Sequence, residues 1–292
     1  MANKRRPPLP PLGAHMSIAG GTPRAVERAL SVDSTALQIF LKNNNRWQGK
    51  TIDKEEAAAF REAMAQSGLA PAVAHSGYLI NLASADRELA KKSVDAMVDE
   101  LERAALLGVP GVVLHPGAHK GHGEPKGIAT VVRRINTVLR RTPNNPAGIW
   151  LETTAGQGTT LGYRFEHLAD IIEQVEDPSR VGVCLDTCHV FAAGYEMRTE
   201  RGVKATLREF NRVVGLEWLR TIHVNDSKKP FGSRRDRHEH IGRGQIGEVG
   251  FATLIRDRRL RKVPFLLETP KGDDLAEDRM NLATLRRLAG VP

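Results

Sequence analysis

Two periods of apolar and polar residues alternate along this chain. Short runs without internal polar alternation recur from end to end: Leu9 to Ala14, Ala36 to Leu41, Ala72 to Ala74, Gly111 to Leu114, Gly148 to Leu151, Val181 to Leu185, Thr221 with Ile222, and Pro264 to Leu267. Runs this short, bounded by polar or Gly-rich residues, predict strands buried on both faces, as in a parallel sheet. Between them the period is helical. Asp86 to Leu107 places Leu89, Val94, Met97, Val98, Leu101, Ala104 and Ala105 close to a 3.6-residue repeat and stops at Gly108. Lys54 to Gln66 follows Asp53, a good N-cap, and carries Glu55 and Glu56 in its first turn, where the helix dipole favours acids. Ile128 to Leu139, Phe165 to Val175, Thr206 to Val214 and Asp278 to Leu288 predict further helices.

Strand ends recur at intervals of roughly 27 to 45 residues, the size of a βα unit. Eight such units predict an α/β chain folded as one closed (β/α)8 barrel, a TIM barrel, over residues 9–292. Residues 1–8, with Pro7 and Pro8 beside a basic cluster, are expected to form a loose arm. A doubly wound open sheet is the alternative. No G-x-G-x-x-G or G-x-x-x-x-G-K-[ST] turn follows any strand, which removes its usual ligand argument.

Composition narrows the class. The 292 residues are 40% hydrophobic and 26% charged, ordinary values for a globular chain. No apolar run approaches the ~20 residues needed to span a bilayer. The basic N-terminus is followed by no apolar signal core, so a cytoplasmic location is expected. Two cysteines give no disulfide framework. Cys184 reads as a buried hydrophobe; Cys188, beside His189, reads as packing rather than as a ligand. A formal charge of +9 suits a polyanionic partner, provided a site accompanies it.

Candidate chemistry lies where the apolar runs end. His75, His115, Glu152, Asp186, His223 and Glu268 each stand at a strand tip, with His189 in the loop after Asp186 and His15 at the first tip. Singly, each reads as a helix cap or a satisfied buried polar residue. In a barrel all parallel strands end on one face, so the six converge, and none is Lys or Arg. Carboxylates that close repel unless protonated or bridged by cations, and neutral imidazoles complete a ligand set. Mixed imidazole and carboxylate ligation suits zinc or manganese. The stretch KKPFGSRRDRHEHIGR, residues 228–243, adds Asp236 and His238 among Lys228, Lys229, Arg234, Arg235, Arg237 and Arg243. A basic rim around an anionic metal-binding core fits a phosphate backbone presented to metals. His119, His122 and His240 read as exposed loop residues and His167 as helix interior. Trp47 and Phe231 read as packing residues.

GAHMSIAGG, AHSGYLINLA, LHPGAH, LETTAGQGTTLGY, VGVCLDTCHVFAAGYE, HVNDSKKPFGSRRDRHEHIGRG and LLETP, in this order, together resemble the endonuclease IV family of DNA-repair enzymes. The resemblance runs from about Leu12 to the last helix. It implies a (β/α)8 barrel with three zinc ions, manganese in part being the alternative. The implied reaction cleaves double-stranded DNA 5′ to an abasic site, leaving a 3′-hydroxyl and a 5′-deoxyribose phosphate, with 3′-end repair as an added activity. Carried over position by position, it implies that His75, His115 and Glu152 hold one zinc. Glu152 would bridge to a second, shared with Asp186, His223 and Glu268, and His189, Asp236 and His238 would hold the third. Glu152 would also orient or deprotonate the attacking water. Tyr78 matches a residue that fills the gap left by the extruded nucleotide. A second such position, usually Arg, falls on Asn45, with Arg46 next to it; Arg235 and Arg237 are the expected phosphate contacts. A monomer is expected. Two rivals remain: a divalent-metal sugar isomerase or epimerase, which has little use for the basic stretch, and an idle damage binder, which has no need of Glu152 or Asp186.

Overall fold

The structure is a computed structural model and describes residues 9–290. The arm expected over residues 1–8 lies outside the described residues. Eight parallel strands close into a barrel: β1 (Leu12–Met16), β2 (Ala36–Phe40), β3 (Ala72–His75), β4 (Gly111–Leu114), β5 (Gly148–Glu152), β6 (Val181–Asp186), β7 (Leu219–His223) and, after a two-stranded ribbon of β8 (Asp226–Ser227) and β9 (His238–Glu239), β10 (Phe265–Leu267). β1 closes the ring by pairing with both β2 and β10. This is the single-domain (β/α)8 architecture the run pattern predicts.

Six expected helices are present as α2 (Lys54–Ser67), α3 (Arg87–Leu107), α4 (Glu124–Arg141), α5 (Phe165–Gln174), α7 (Glu200–Val213) and α9 (Ala276–Leu288). The Asp53 and Asp86 side chains cap α2 and α3 by accepting from Glu56 N and Leu89 N. Three further helices lie outside the segments singled out by periodicity. α1 (Pro23–Ser31) is short and buries only Ala25, Val26 and Ala29; α6 (Thr187–Ala193) is buried almost all round; α8 (Gly247–Ile255) contains two glycines. A helix apolar on every side has no amphipathic signal to read. Among the described residues, no helix is long and apolar enough to cross a membrane.

The strands divide their side chains between two cores by the period of two. Outward residues pack under the helices in one large cluster. A smaller cluster of Ala36, Val73, Val113, Trp150, Cys184 and Leu266 fills the barrel. Trp150 is the bulk of that plug, and Gly111 makes room for it: a Cβ there would lie 2.1 Å from Trp150 Cε2. Two residues further along the same strands stand Gln38, His75, His115, Glu152, Asp186 and Glu268. The alternation that packs the barrel floor therefore aims these side chains into its mouth.

Candidate metal centre

Glu152, fully buried at the end of β5, is the hub of the mouth. Its Oε2 lies 3.1 Å from His75 Nε2 and 2.9 Å from His115 Nε2. Its Oε1 lies 2.8 Å from His223 Nδ1 and 3.4 Å from His189 Nδ1. Among the described residues five groups have donor atoms all within 4.8 Å of one another; two include a cysteine (Glu152, Cys184 and His223; Asp186, Cys188 and His238), and three consist of the predicted ligands alone: His75, His115 and Glu152; Glu152, Asp186, His223 and Glu268; and His189, Asp236 and His238. The predicted ligand positions are thus brought together, and Glu152 belongs to two of these last three groups.

Local structure explains each placement. Asp186 is both the strand-tip carboxylate and the N-cap of α6, its Oδ1 accepting from His189 N at 2.7 Å. The loop position expected for His189 is corrected: it sits in the first turn of α6, because that cap starts a helix there. Asp236 and His238 come from the basic stretch, which is tied down on several sides. β8 and β9 pair Ser227 with His238, and Gly232 N and Arg234 N donate to the last carbonyls of α6 at Phe191 and Ala192. Asp226, buried, accepts from the backbone N–H groups of Ser227, Gly242, Gly244, Ile246 and Gly247, closing the end of the stretch.

The imidazoles are held by their far nitrogens. His75 Nδ1 donates to Ser76 O at 2.8 Å, His189 Nδ1 to Thr153 O at 2.8 Å and His238 Nδ1 to Glu268 O at 3.1 Å. His223 Nε2 donates to Gln38 Oε1 at 2.7 Å. Such bonds to oxygen fix the tautomer and aim the remaining lone pair, the usual support of a metal ligand. The fit to a cation has a direct mark. His189 Nε2 and His238 Nε2 are buried without a hydrogen-bond partner, although Asp236 oxygens lie 3.0 and 3.3 Å away. Donors that approach one another this closely without aligning point at a common centre, as ligands do.

Titration follows the crowding. Burial alone would raise Glu152 and Glu268, but His223 together with His115 on the one, and with His15 on the other, holds both well below the usual carboxylate range. Burial opposes charging of His189, yet Asp186 and Asp236 raise it well above 6.5. For His223 burial is again opposed, by Cys184, Glu268 and Glu152. Burial pushes the Cys184 thiol up to about 12, so near neutrality it is uncharged and the two carboxylates carry the effect. In Asp236 burial is outweighed by His189, which lowers the carboxyl.

The residues expected to meet DNA surround this centre. Tyr78 is 62% exposed, with its ring 5.5 Å from that of Phe40. Its backbone N donates to Asn44 O at 3.0 Å, joining the loops after β2 and β3. Asn45 and Arg46 are exposed on the first of these, while Trp47 is partly buried against the outer core. Arg235 and Arg237 are exposed beside Asp236. Two expectations of exposure are corrected. His119 is partly buried and accepts from Gly123 N at 3.0 Å, and His240 is partly buried with Nδ1 3.1 Å from Asn281 Nδ2. Each braces a loop turn. His122 is exposed, and His167 is buried in α5.

Sequence reasoning missed the supporting residues. Asn225 donates to Asp186 Oδ2 at 2.7 Å and accepts from Glu268 N at 2.8 Å; the Thr153 hydroxyl accepts from Asp186 N at 2.9 Å. Gln38, fully buried in β2, contacts His15, His223 and Glu268. The available signal was register: Gln38 stands two residues after a barrel-interior alanine, and Asn225 two after His223.

Comparison with known proteins agrees with this geometry. The family model for the xylose isomerase-like TIM barrel matches residues 26–287. A probable endonuclease 4 of Chloroflexus aurantiacus is 51% identical over 96% of this chain and 98% of its own length. One from Geobacter sulfurreducens is 50% identical over 95% and 94%. The crystal structure of endonuclease IV from Thermus thermophilus superposes with a TM-score of 0.86 at 40% identity, covering 96% of this chain and 99% of that one. The chain belongs to the endonuclease IV family, within the xylose isomerase-like TIM barrels.

Proposed function

We propose that this protein is an abasic-site endonuclease that hydrolyses the phosphodiester 5′ to the lesion in double-stranded DNA, leaving a 3′-hydroxyl and a 5′-deoxyribose phosphate. The observation that carries the reading is the position of Glu152, whose two oxygens face two separate groups of imidazoles while Asp236 and His238 bring a third group against them. His75, His115 and Glu152 would hold one zinc, Glu152, Asp186, His223 and Glu268 a second, and His189, Asp236 and His238 the third, with manganese as a substitute in part. Metals held there would supply Lewis acidity that lowers the pKa of water and offsets negative charge on the phosphate.

The chain's own residues do the rest. Glu152, held deprotonated at the hub, orients the attacking water or takes up its proton. Arg235 and Arg237 take the phosphate backbone at the rim. Tyr78, with Asn45 and Arg46 beside it, fills the space vacated by the abasic nucleotide, whose extrusion costs little because no base is paired or stacked there. Every donor comes from one chain, so a monomer suffices. Processing of 3′-blocked ends follows from the same phosphate site.

The test pairs elemental analysis with a nicking assay on a duplex carrying one abasic analogue. About three metal ions per chain and a single nick 5′ to the lesion are expected. Turnover of ketoses or aldoses without nicking would replace the reading with a sugar isomerase or epimerase. Binding without cleavage by the zinc-loaded protein would replace it with a damage binder.

A further inference from the structure

We propose that Gln38 is a positioning residue: its amide fixes which nitrogen of His223 faces the metal centre and which oxygen of Glu268 is left free to ligate there. The inference rests on the reading of Glu152, Asp186, His223 and Glu268 as a metal site, and goes beyond it.

Gln38 lies in the middle of β2, paired in register with His15 on β1, and is fully buried. Its Nε2 is 2.6 Å from Glu268 Oε1 and 3.0 Å from His15 Nδ1, and its Oε1 is 2.7 Å from His223 Nε2. These contacts determine the amide orientation. An ionised Glu268 carboxylate can only accept, so the NH2 must face it, and the carbonyl is left for His223. The carbonyl can only accept in turn, so His223 carries its proton on Nε2. Once a metal displaced the other ring proton, the lone pair would sit on Nδ1, the atom 2.8 Å from Glu152 Oε1 and 3.2 Å from Glu268 Oε2.

The second amide proton goes to His15, which must therefore be unprotonated at Nδ1. One amide thus links β1, β7 and β10 with both donors and its acceptor used. Gln38 sits on the inward face of its strand, two residues beyond Ala36 in the apolar plug. An apolar side chain would fill that space, but it would free the His223 ring to take either tautomer and leave Glu268 Oε1 unpaired.

The test uses full-length protein and zinc itself, with Gln38→Met as a near-isosteric variant lacking the hydrogen bonds. Zinc affinity is read by competition with a chelating indicator, alongside the Tm of metal-free protein and the kcat and KM for abasic duplex. The weakest-held ion should bind about 10–100-fold more weakly in Gln38→Met. Activity should fall at limiting zinc and recover with excess zinc, with KM unchanged. A lowered metal-free Tm at wild-type zinc affinity would show a merely structural role and overturn the proposal. A second measurement needs no variant: in wild-type protein loaded with ¹¹³Cd and labelled with ¹⁵N at histidine, cadmium should couple to Nδ1 of His223. Coupling to Nε2 overturns the proposal even if Gln38→Met fails to fold. Wild-type protein that binds no zinc would sink the metal reading itself; wild-type protein that binds zinc and nicks DNA, with Gln38→Met equally tight, would sink the role of Gln38 alone.

Discussion

Glu152 and Tyr78 stand at the same barrel mouth under opposite conditions. Glu152 has no exposure and four imidazoles around its carboxylate, and each of the three most buried also donates to an oxygen outside it. Tyr78 rests on Phe40 with most of its surface in water, and Asn45, Arg46 and Arg235 beside the mouth are exposed. The chemical centre is set by the fold before substrate arrives. A backbone bond from Tyr78 N to Asn44 O joins the surrounding loops, and on the proposed function their exposed side chains would find their partners in DNA. Preorganised charge accelerates the chemical step, whereas loop contacts assembled on binding contribute through affinity and extrusion. Damage to the centre should therefore act on kcat and metal content, and damage to the loops on KM with metal content intact.

The largest effect tests the centre. Glu152→Gln keeps the shape but removes the charge shared by two ligand groups. A fall in kcat of at least about 10³-fold is expected, ~4 kcal/mol of barrier, together with loss of metal by elemental analysis. Full metal content with kcat within tenfold of wild type would show that the hub is a structural network.

Next comes the pH dependence of the centre. In metal-free protein His75, His189 and His223 are raised, so the stability they contribute is fully present below about 6.5 and lost as pH rises through their raised values. Glu152 and Glu268 are lowered, so theirs is present above about 4.5 and lost as pH falls through their lowered values. The metal-free Tm should therefore peak between roughly 4.5 and 6.5 and decline above. Zinc must displace the imidazole protons, so its affinity should rise over the same decline, by up to about tenfold per pH unit per proton released. Tm measured with and without zinc from pH 5 to 9 should diverge; parallel curves would break the link between these imidazoles and the metal.

Those imidazoles were legible because a strand end is a fixed place. A short apolar run names its last residue, and a barrel gathers last residues on one face, so His75, His115, Glu152, Asp186, His223 and Glu268 follow from pattern alone. Asp236 and His238 lie on no barrel strand and needed the motif around them. Gln38 and Asn225 stayed hidden because an amide in or near a strand has no sequence mark of its own; only the register of its neighbours shows that it faces the site. α6 escaped for a related reason, being buried on nearly every side. At Asn45 and Arg46 the chain departs from the family's usual arginine, and an exposed loop without DNA imposes no conformation that pattern could reveal.

Among the loops, Tyr78 should matter most. Stacking by an exposed aromatic against a nucleotide is worth about 1–3 kcal/mol, so Tyr78→Ala should lose about tenfold to a hundredfold in kcat/KM for an abasic duplex. Metal content and metal-free Tm should stay at wild-type values. A fluorescent base opposite the lesion would report extrusion directly. If extrusion is unchanged and metal is lost instead, the division between centre and loops fails at the residue where the two regions touch, since the Tyr78 and His75 rings are 6.1 Å apart.

The smallest effect belongs to the rim. Arg235 is exposed, and among the described residues the Arg237 side chain bonds only the neighbouring Asp236 O while its backbone carbonyl accepts from Lys228 N, so removing either side chain should leave the fold intact. Removing one arginine that neutralises a phosphate should lower the slope of log affinity against log salt by about one. Arg235→Ala combined with Arg237→Ala should thus weaken binding at low salt, and the gap should narrow as salt rises. At saturating DNA, kcat should be unchanged. Because Arg237 adjoins both Asp236 and His238, a fall in kcat accompanied by loss of one metal would show that this arginine holds the ligand turn in place. The rim would then belong to the centre rather than to the loops.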